Sequence, residues 1–133
     1  MLCIKPGQHG STYGGNPLGC AVASAALKVL NDEDLIRRSE ELGHLLRDSL
    51  KAINHPLLKT IRGKGLMNAM ELFEEKLNGK TAWDLCLCLK ANGLITKPTH
   101  ETIIRLTPPL CITEEEIQKA VSIIKKSLDQ LMD

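Results

Sequence analysis

Two hydroxyl side chains, Ser11 and Thr12, stand next to each other in a glycine-rich loop, GQHGSTYGGNP at residues 7–17. Glycines let backbone N–H groups come close to a ligand, the hydroxyls add donors, and a helix starting at Asn16-Pro17 brings partial positive charge. Those features suit a phosphate. They also suit a tight turn that merely caps a helix. Arg105 is the second candidate: it lies between Ile104 and Leu106 in IIRLTPPL, an apolar strand-like run where a buried, unpaired guanidinium would be costly. Its planar fork matches a carboxylate through two parallel hydrogen bonds; the plainer alternatives are an exposed edge arginine or an internal ion pair. Arg62-Gly63-Lys64-Gly65 has the look of a phosphate loop, yet reads better as a turn between strands in which glycine supplies unusual backbone angles. Cys86 and Cys88 face different sides of a helical pattern, and His9, His44, His55 and His100 have no ligand spacing, so no metal site is expected.

The elements that must hold these groups follow from composition and periodicity. With 133 residues the chain has room for one ordinary domain and a continuous apolar core. Hydrophobic residues make up 43% and aromatic ones only 2%, so that core must be built from Leu, Ile, Val, Ala and Met. The net charge of +1, with acids and bases interspersed, offers no field for nucleic acid or an anionic membrane. The longest mostly apolar run, residues 18–27, is about half of a membrane span. Met1-Leu2-Cys3-Ile4 meets Lys5-Pro6 too soon for a signal peptide, and no mitochondrial presequence is visible. A soluble chain is expected. Five cysteines form no disulfide framework and are expected as reduced thiols in a reducing compartment.

Asn16 caps and Pro17 opens a helix reaching about Leu30, whose Gly19, Ala21, Ala23 and Ala25 predict close packing against a neighbour. A second helix is expected from about Asn31 or Asp32, with Asp32, Glu33 and Asp34 at its positive end and Leu35, Leu42, Leu46, Leu50 and Ile53 on its buried face. Strands are expected at 58–62 and 66–73, around Gly63-Lys64-Gly65. Thr81 and Asp84 form a capping-box pair for a third helix that Asn92-Gly93 ends. Strands at 94–96 and 102–106 follow. Thr113 and Glu116 box the last helix, Ile112 staples onto Ile117, and Ala120, Val121, Ile124, Leu128 and Leu131 continue its buried stripe. Periodicity alone therefore gives an α/β or α+β domain, a small mixed sheet covered by helices.

Three segments add more. GSTYGGNPLGCAVA, RGKGL and IIRLTPPL occur in the order in which the C-terminal third of the class III pyridoxal-phosphate aminotransferases carries them, and the chain closely resembles that family over essentially its whole length. KPGQHGSTYGGNPLGC and GLITKPTHETIIRLTPPLCIT are closest to members whose amino donor is ornithine, with acetylornithine as the alternative. The resemblance implies the small C-terminal domain of a fold-type I transferase, an antiparallel or mixed sheet under helices at residues 32–133, preceded at residues 1–31 by the end of the large cofactor domain and a connecting helix. It implies that Ser11 and, more strongly, Thr12 donate to the phosphate of pyridoxal 5'-phosphate bound mainly by the partner subunit of a homodimer. It implies that Arg105 binds a carboxylate of glutamate or 2-oxoglutarate. In the family, the lysine that forms a Schiff base with the cofactor and the acid that partners the pyridine nitrogen precede the Gly-Ser-Thr loop. Lys5, Lys64 and Lys97 do not stand at that position, so no catalytic residue is expected in this chain, and by itself it is expected not to transaminate. A non-catalytic binding or dimerisation module is the contrasting expectation. Family members occupy the mitochondrial matrix or the cytosol.

Overall fold

The computed structural model describes residues 3–132; Met1 and Leu2, which open the stretch weighed above as a signal peptide, lie outside the described residues. The chain divides into two compact units, Met1–Leu35 and Ile36–Asp133.

In the first unit the loop leads into α1, Pro17–Asp32, with Asn16 as N-cap and its side chain accepting from the Gly19 N–H at 2.7 Å. No residue of α1 is buried. The helix also runs further than its sequence suggested. Asp32 sits in its last turn, paired with Lys28 at 2.8 Å, and Glu33 is its C-cap. Asp34 then takes φ of 50°, and α2 starts at Leu35 with no acid in its first turn. Asp32 and Glu33 therefore end one helix, and Asp34 stands at the break directly before the next.

The second unit is a four-stranded antiparallel sheet with helices on one face. β1 (Leu58–Lys64) and β2 (Met67–Leu72) form a hairpin; β4 (Ile103–Leu106) pairs with β2, and β3 (Lys97–His100) pairs with β4, giving the order β1-β2-β4-β3. Alternation decides the faces. Asn68, Met70 and Leu72 of β2 and Ile104 and Leu106 of β4 are buried, whereas Met67 and Arg105 are exposed. Against the buried face lie α2 (Leu35–Ala52) through Leu42, Leu46 and Leu50, α3 (Ala82–Ala91) through Leu85 and Leu89, and α4 (Glu114–Met132) through Ile117, Ile124 and Leu128. No aromatic ring belongs to this buried cluster.

Both boxed helix starts form. Thr81 donates through its N–H and hydroxyl to one oxygen of Asp84, at 2.7 and 2.9 Å. The Thr113 N–H donates to Glu116, and the Glu116 N–H to the Thr113 hydroxyl. Ile112 and Ile117 are both buried beside that box. Gly93, at φ of 94°, takes the chain out of α3. One strand differs from expectation: β3 occupies Lys97–His100, not 94–96, because it is an edge strand, where Pro98 sacrifices no needed ladder donor.

His55, after α2, is buried at 9% exposure. Its Nδ1 accepts from the Leu57 N–H at 3.2 Å, and its Nε2 faces Asp129 of α4 at 3.4 Å. Burial pushes its pKa down, against the pull of the Asp129 carboxylate. The unfolded chain therefore takes up the proton first: stability is full above about pH 6.5 and falls as pH drops from there through the lower folded pKa. Chemical unfolding midpoints are expected to fall between about pH 7 and 5, and to fall less in His55→Asn; parallel pH profiles would contradict the assignment.

Candidate functional site

The glycine-rich loop is organised by its own short side chains. Ser11 Oγ accepts from the Gly14 N–H at 3.1 Å, and Asn16 Nδ2 donates to the Tyr13 carbonyl at 2.7 Å while Asn16 Oδ1 caps α1. Ser11 thus keeps its own hydroxyl proton to donate. Thr12 is exposed, and its hydroxyl has no hydrogen-bond partner among the described residues. Gly7 and Gly15 take φ of 85° and 79°, a region costly for any residue with a Cβ. Around Gly7, Gly10 and Gly15 the loop is open, with no atom within 4 Å of where a side chain would begin. Two hydroxyl donors in an open loop just before a helix N-terminus fit a phosphate.

Arg105 lies in the second unit, mid-strand on the sheet face that carries no helix. The register aligns it between Ala69 of β2 and Lys97 of β3. The backbone of this stretch is fixed: the Arg105 carbonyl accepts from the Thr96 hydroxyl, and its neighbours Ile104 and Leu106 are buried. Its side chain is exposed and forms no ion pair among the described residues. Of the readings open from sequence, an internal ion pair is therefore not the one found. On the same face Lys59 and Glu71 pair at 2.7 Å, which raises the lysine pKa and lowers the glutamate one through that hydrogen bond and charge.

Of Arg62-Gly63-Lys64-Gly65, expected as a turn, the first three residues extend β1 and only Gly65 lies in the turn of the β1-β2 hairpin. Lys64 pairs with Met67, and Gly65, at φ of 53°, opens the two-residue turn. A Cβ on Gly63 would come within 2.4 Å of the Met67 carbonyl oxygen. Periodicity had not shown what holds this turn down. Ser39, Gly43 and Arg47, four residues apart on one stripe of α2, grip it together. Ser39 Oγ accepts from the Leu66 N–H at 3.1 Å, Gly43 lies against the Gly65 carbonyl, and Arg47 donates to that carbonyl at 2.8 Å and to Asn68 Oδ1 at 2.9 Å. Arg47 is buried without a carboxylate, its charge spread over two neutral oxygens. The stripe fixes β2, on which β4 and Arg105 are registered.

Of the lysines nearest the matched segments, Lys5, Lys64 and Lys97 are all exposed. Among the described residues, no three His, Cys, Asp or Glu side chains are placed to share a cation, and all five cysteines are free thiols.

The family model for aminotransferase class III matches residues 1–128. The chain belongs to the class III aminotransferases. Among relatives of this class III chain, the ornithine aminotransferase of Emericella nidulans is 57% identical over 131 residues, 98% of this chain and 29% of that protein. The mitochondrial ornithine aminotransferase of Rattus norvegicus is 52% identical over 128 residues, again 29% of its length. The chain thus spans about three tenths of the relatives it matches. Among solved structures, Plasmodium falciparum ornithine delta-aminotransferase superposes with a TM-score of 0.86 at 43% identity, over 99% of this chain and 34% of that one. An acetylornithine aminotransferase from Elizabethkingia anophelis gives 0.84 at 53% identity, over 96% and 32%. The fold of this class III chain is that of the corresponding part of these enzymes.

Proposed function

We propose that this chain forms the C-terminal part of an ornithine aminotransferase, in which residues 1–31 end the large cofactor domain and residues 32–133 are the small domain. Ornithine gives up its δ-amino group, leaving glutamate semialdehyde that cyclises to pyrroline-5-carboxylate, and 2-oxoglutarate takes the amino group to become glutamate. The observation that carries the reading is Arg105: a guanidinium held mid-strand by the register, exposed and without an ion pair among the described residues, in a chain 57% identical to an ornithine aminotransferase.

Each residue then has a task. Pyridoxal phosphate, when bound, supplies the electron sink that lets an amino group move between two carbon skeletons. Thr12 donates its free hydroxyl to the cofactor's phosphate, and Ser11 donates while its oxygen keeps accepting from Gly14. The partner subunit of a homodimer supplies most of that cofactor site. Arg105 holds a carboxylate of 2-oxoglutarate through two parallel hydrogen bonds, which orients the oxo carbon for reaction. None of the chain's lysines serves as the covalent attachment point. The enzyme works in the mitochondrial matrix or the cytosol.

Acetylornithine as amino donor is the second reading, favoured by the 53% identity to the Elizabethkingia enzyme. A side-by-side comparison of the two donors decides it.

Cofactor retention tests the phosphate assignment. In an enzyme of full family length carrying this segment, Thr12→Ala is expected to weaken pyridoxal phosphate binding about tenfold or more, the worth of one hydrogen bond to a charged group. The 133-residue chain alone, treated with pyridoxal phosphate and borohydride, is expected to give no one-to-one lysine adduct. Unchanged retention in the variant, or a stoichiometric adduct with turnover in the chain alone, would contradict the reading.

A further inference from the structure

Arg47 is the one arginine or lysine buried among the described residues, at 8% exposure. Its grip on the hairpin turn uses a single nitrogen: Nη1 donates to the Gly65 carbonyl at 2.8 Å and to Asn68 Oδ1 at 2.9 Å. An ammonium or a primary amide has enough N–H groups for those two bonds, so neither the delocalised charge nor the rest of the fork is needed to hold the turn. Nε and Nη2 carry the other N–H groups and have no hydrogen-bond or ion-pair partner among the described residues. The acids of α2 are engaged elsewhere: Glu40 faces His44 at 3.1 Å, Glu41 pairs with Arg37 at 2.6 Å, and Asp48 stands 3.8 Å from Lys51.

A guanidinium buried against two neutral oxygens is an incomplete arrangement. Taking a cation out of water is costly, and the cost is recovered only where a counter-charge and further hydrogen bonds meet it. The free groups define that counter-charge. Nε–H and the Nη2 N–H beside it run parallel, the edge of a guanidinium that matches the two oxygens of one carboxylate. No fully buried side-chain nitrogen among the described residues is left without a partner, so this edge reaches the surface and can be approached from outside. The chain spans about three tenths of the relatives it matches, which leaves about seven tenths of such an enzyme to supply the acid.

We propose that the free edge of Arg47 is a socket for one carboxylate, an Asp or Glu side chain of the part of the enzyme outside this chain. The inference rests on the reading of this chain as one part of a longer aminotransferase. It gives Arg47 two jobs: Nη1 holds the β1-β2 turn, and the opposite edge fastens that turn, with β2, to the rest of the protein.

The test follows the arginine Nε–H signals by NMR, with acetate as the probe and Arg47→Lys to assign the Arg47 signal. In the 133-residue chain, where the socket has no internal acid, acetate is expected to shift the Arg47 signal saturably, and sodium chloride at equal ionic strength is not. In an enzyme of full family length carrying this segment, the signal is expected to stand already at the acetate-bound position and to ignore added acetate. Arg47→Met is then expected to speed hydrogen exchange of the β2 amides at least tenfold more in the long enzyme than in the short chain, because only there does it strand a carboxylate. The acetate arm is read on the parent proteins, so it stands even where the methionine variant does not fold. A short chain that ignores acetate, or responds equally to chloride, would overturn the socket. Acetate sensitivity in the long enzyme as well, or equal effects of Arg47→Met in both, would overturn the internal carboxylate. Cofactor retention in Thr12→Ala judges the aminotransferase reading separately.

Discussion

Gly43→Ala is expected to destabilise the second unit by about 3 kcal/mol, although the same change inside an exposed helix ordinarily stabilises by about 1 kcal/mol. The sign reverses because of what α2 touches. A Cβ on Gly43 would lie 2.0 Å from the oxygen and 2.4 Å from the carbon of the Gly65 carbonyl, backbone atoms that cannot rotate aside. Relief requires the helix and the hairpin turn to separate. That separation would also stretch the bonds from Arg47 to the Gly65 carbonyl and Asn68, and the bond from Leu66 to Ser39, and would leave buried polar groups poorly satisfied. Arg47→Met is expected to cost less, about 1–3 kcal/mol, because it removes two donors without forcing the backbone apart. Chemical denaturation of the two variants beside the parent chain measures both. A Gly43→Ala protein as stable as the parent would show that α2 does not seat on the turn through this glycine.

The parts of this fold that could be read from sequence are those whose partners are three or four residues away. Thr113 with Glu116, Thr81 with Asp84, and Asn16 with Gly19 each satisfy local helix-end groups with a local side chain, and all three form. The buried stripes of α2 and α4 follow from spacing in the same way. Misreadings arose where a residue's meaning depended on its place in the whole. Asp32, Glu33 and Asp34 look like the start of a helix, but α1 extends through Asp32 and the positive φ of Asp34 makes the break after it. The strand expected at 94–96 forms instead at Lys97–His100, an edge position that tolerates Pro98.

The candidate site divides along the same line. Ser11, Thr12 and Arg105 were visible as residue types in telling surroundings and as parts of family segments. Neither the grip of Ser39, Gly43 and Arg47 on Gly65 nor the opposition of Lys97 to Arg105 leaves a mark in the local sequence. The first joins a helix to a turn about twenty residues on, and the second exists only once the strand register is known. Spacing of four between small and long polar residues on α2 was the one available signal, and it is too common to stand alone.

Arg105 carries the second large effect. A guanidinium replaced by an amide loses the charge and the two-pronged geometry, and removing one partner of a desolvated charged pair costs about 3 kcal/mol or more, on the order of a hundredfold in rate or affinity. In an enzyme of full family length carrying this segment, Arg105→Gln is therefore expected to lower kcat/KM for 2-oxoglutarate by about that factor. Arg105→Lys should recover only part of it, since a point charge does not reproduce the fork. The ornithine half-reaction, measured alone in a single turnover, should change by no more than a few fold. A variant in which 2-oxoglutarate reacts as fast as in the parent, or in which both half-reactions slow equally, would show that Arg105 holds no substrate carboxylate.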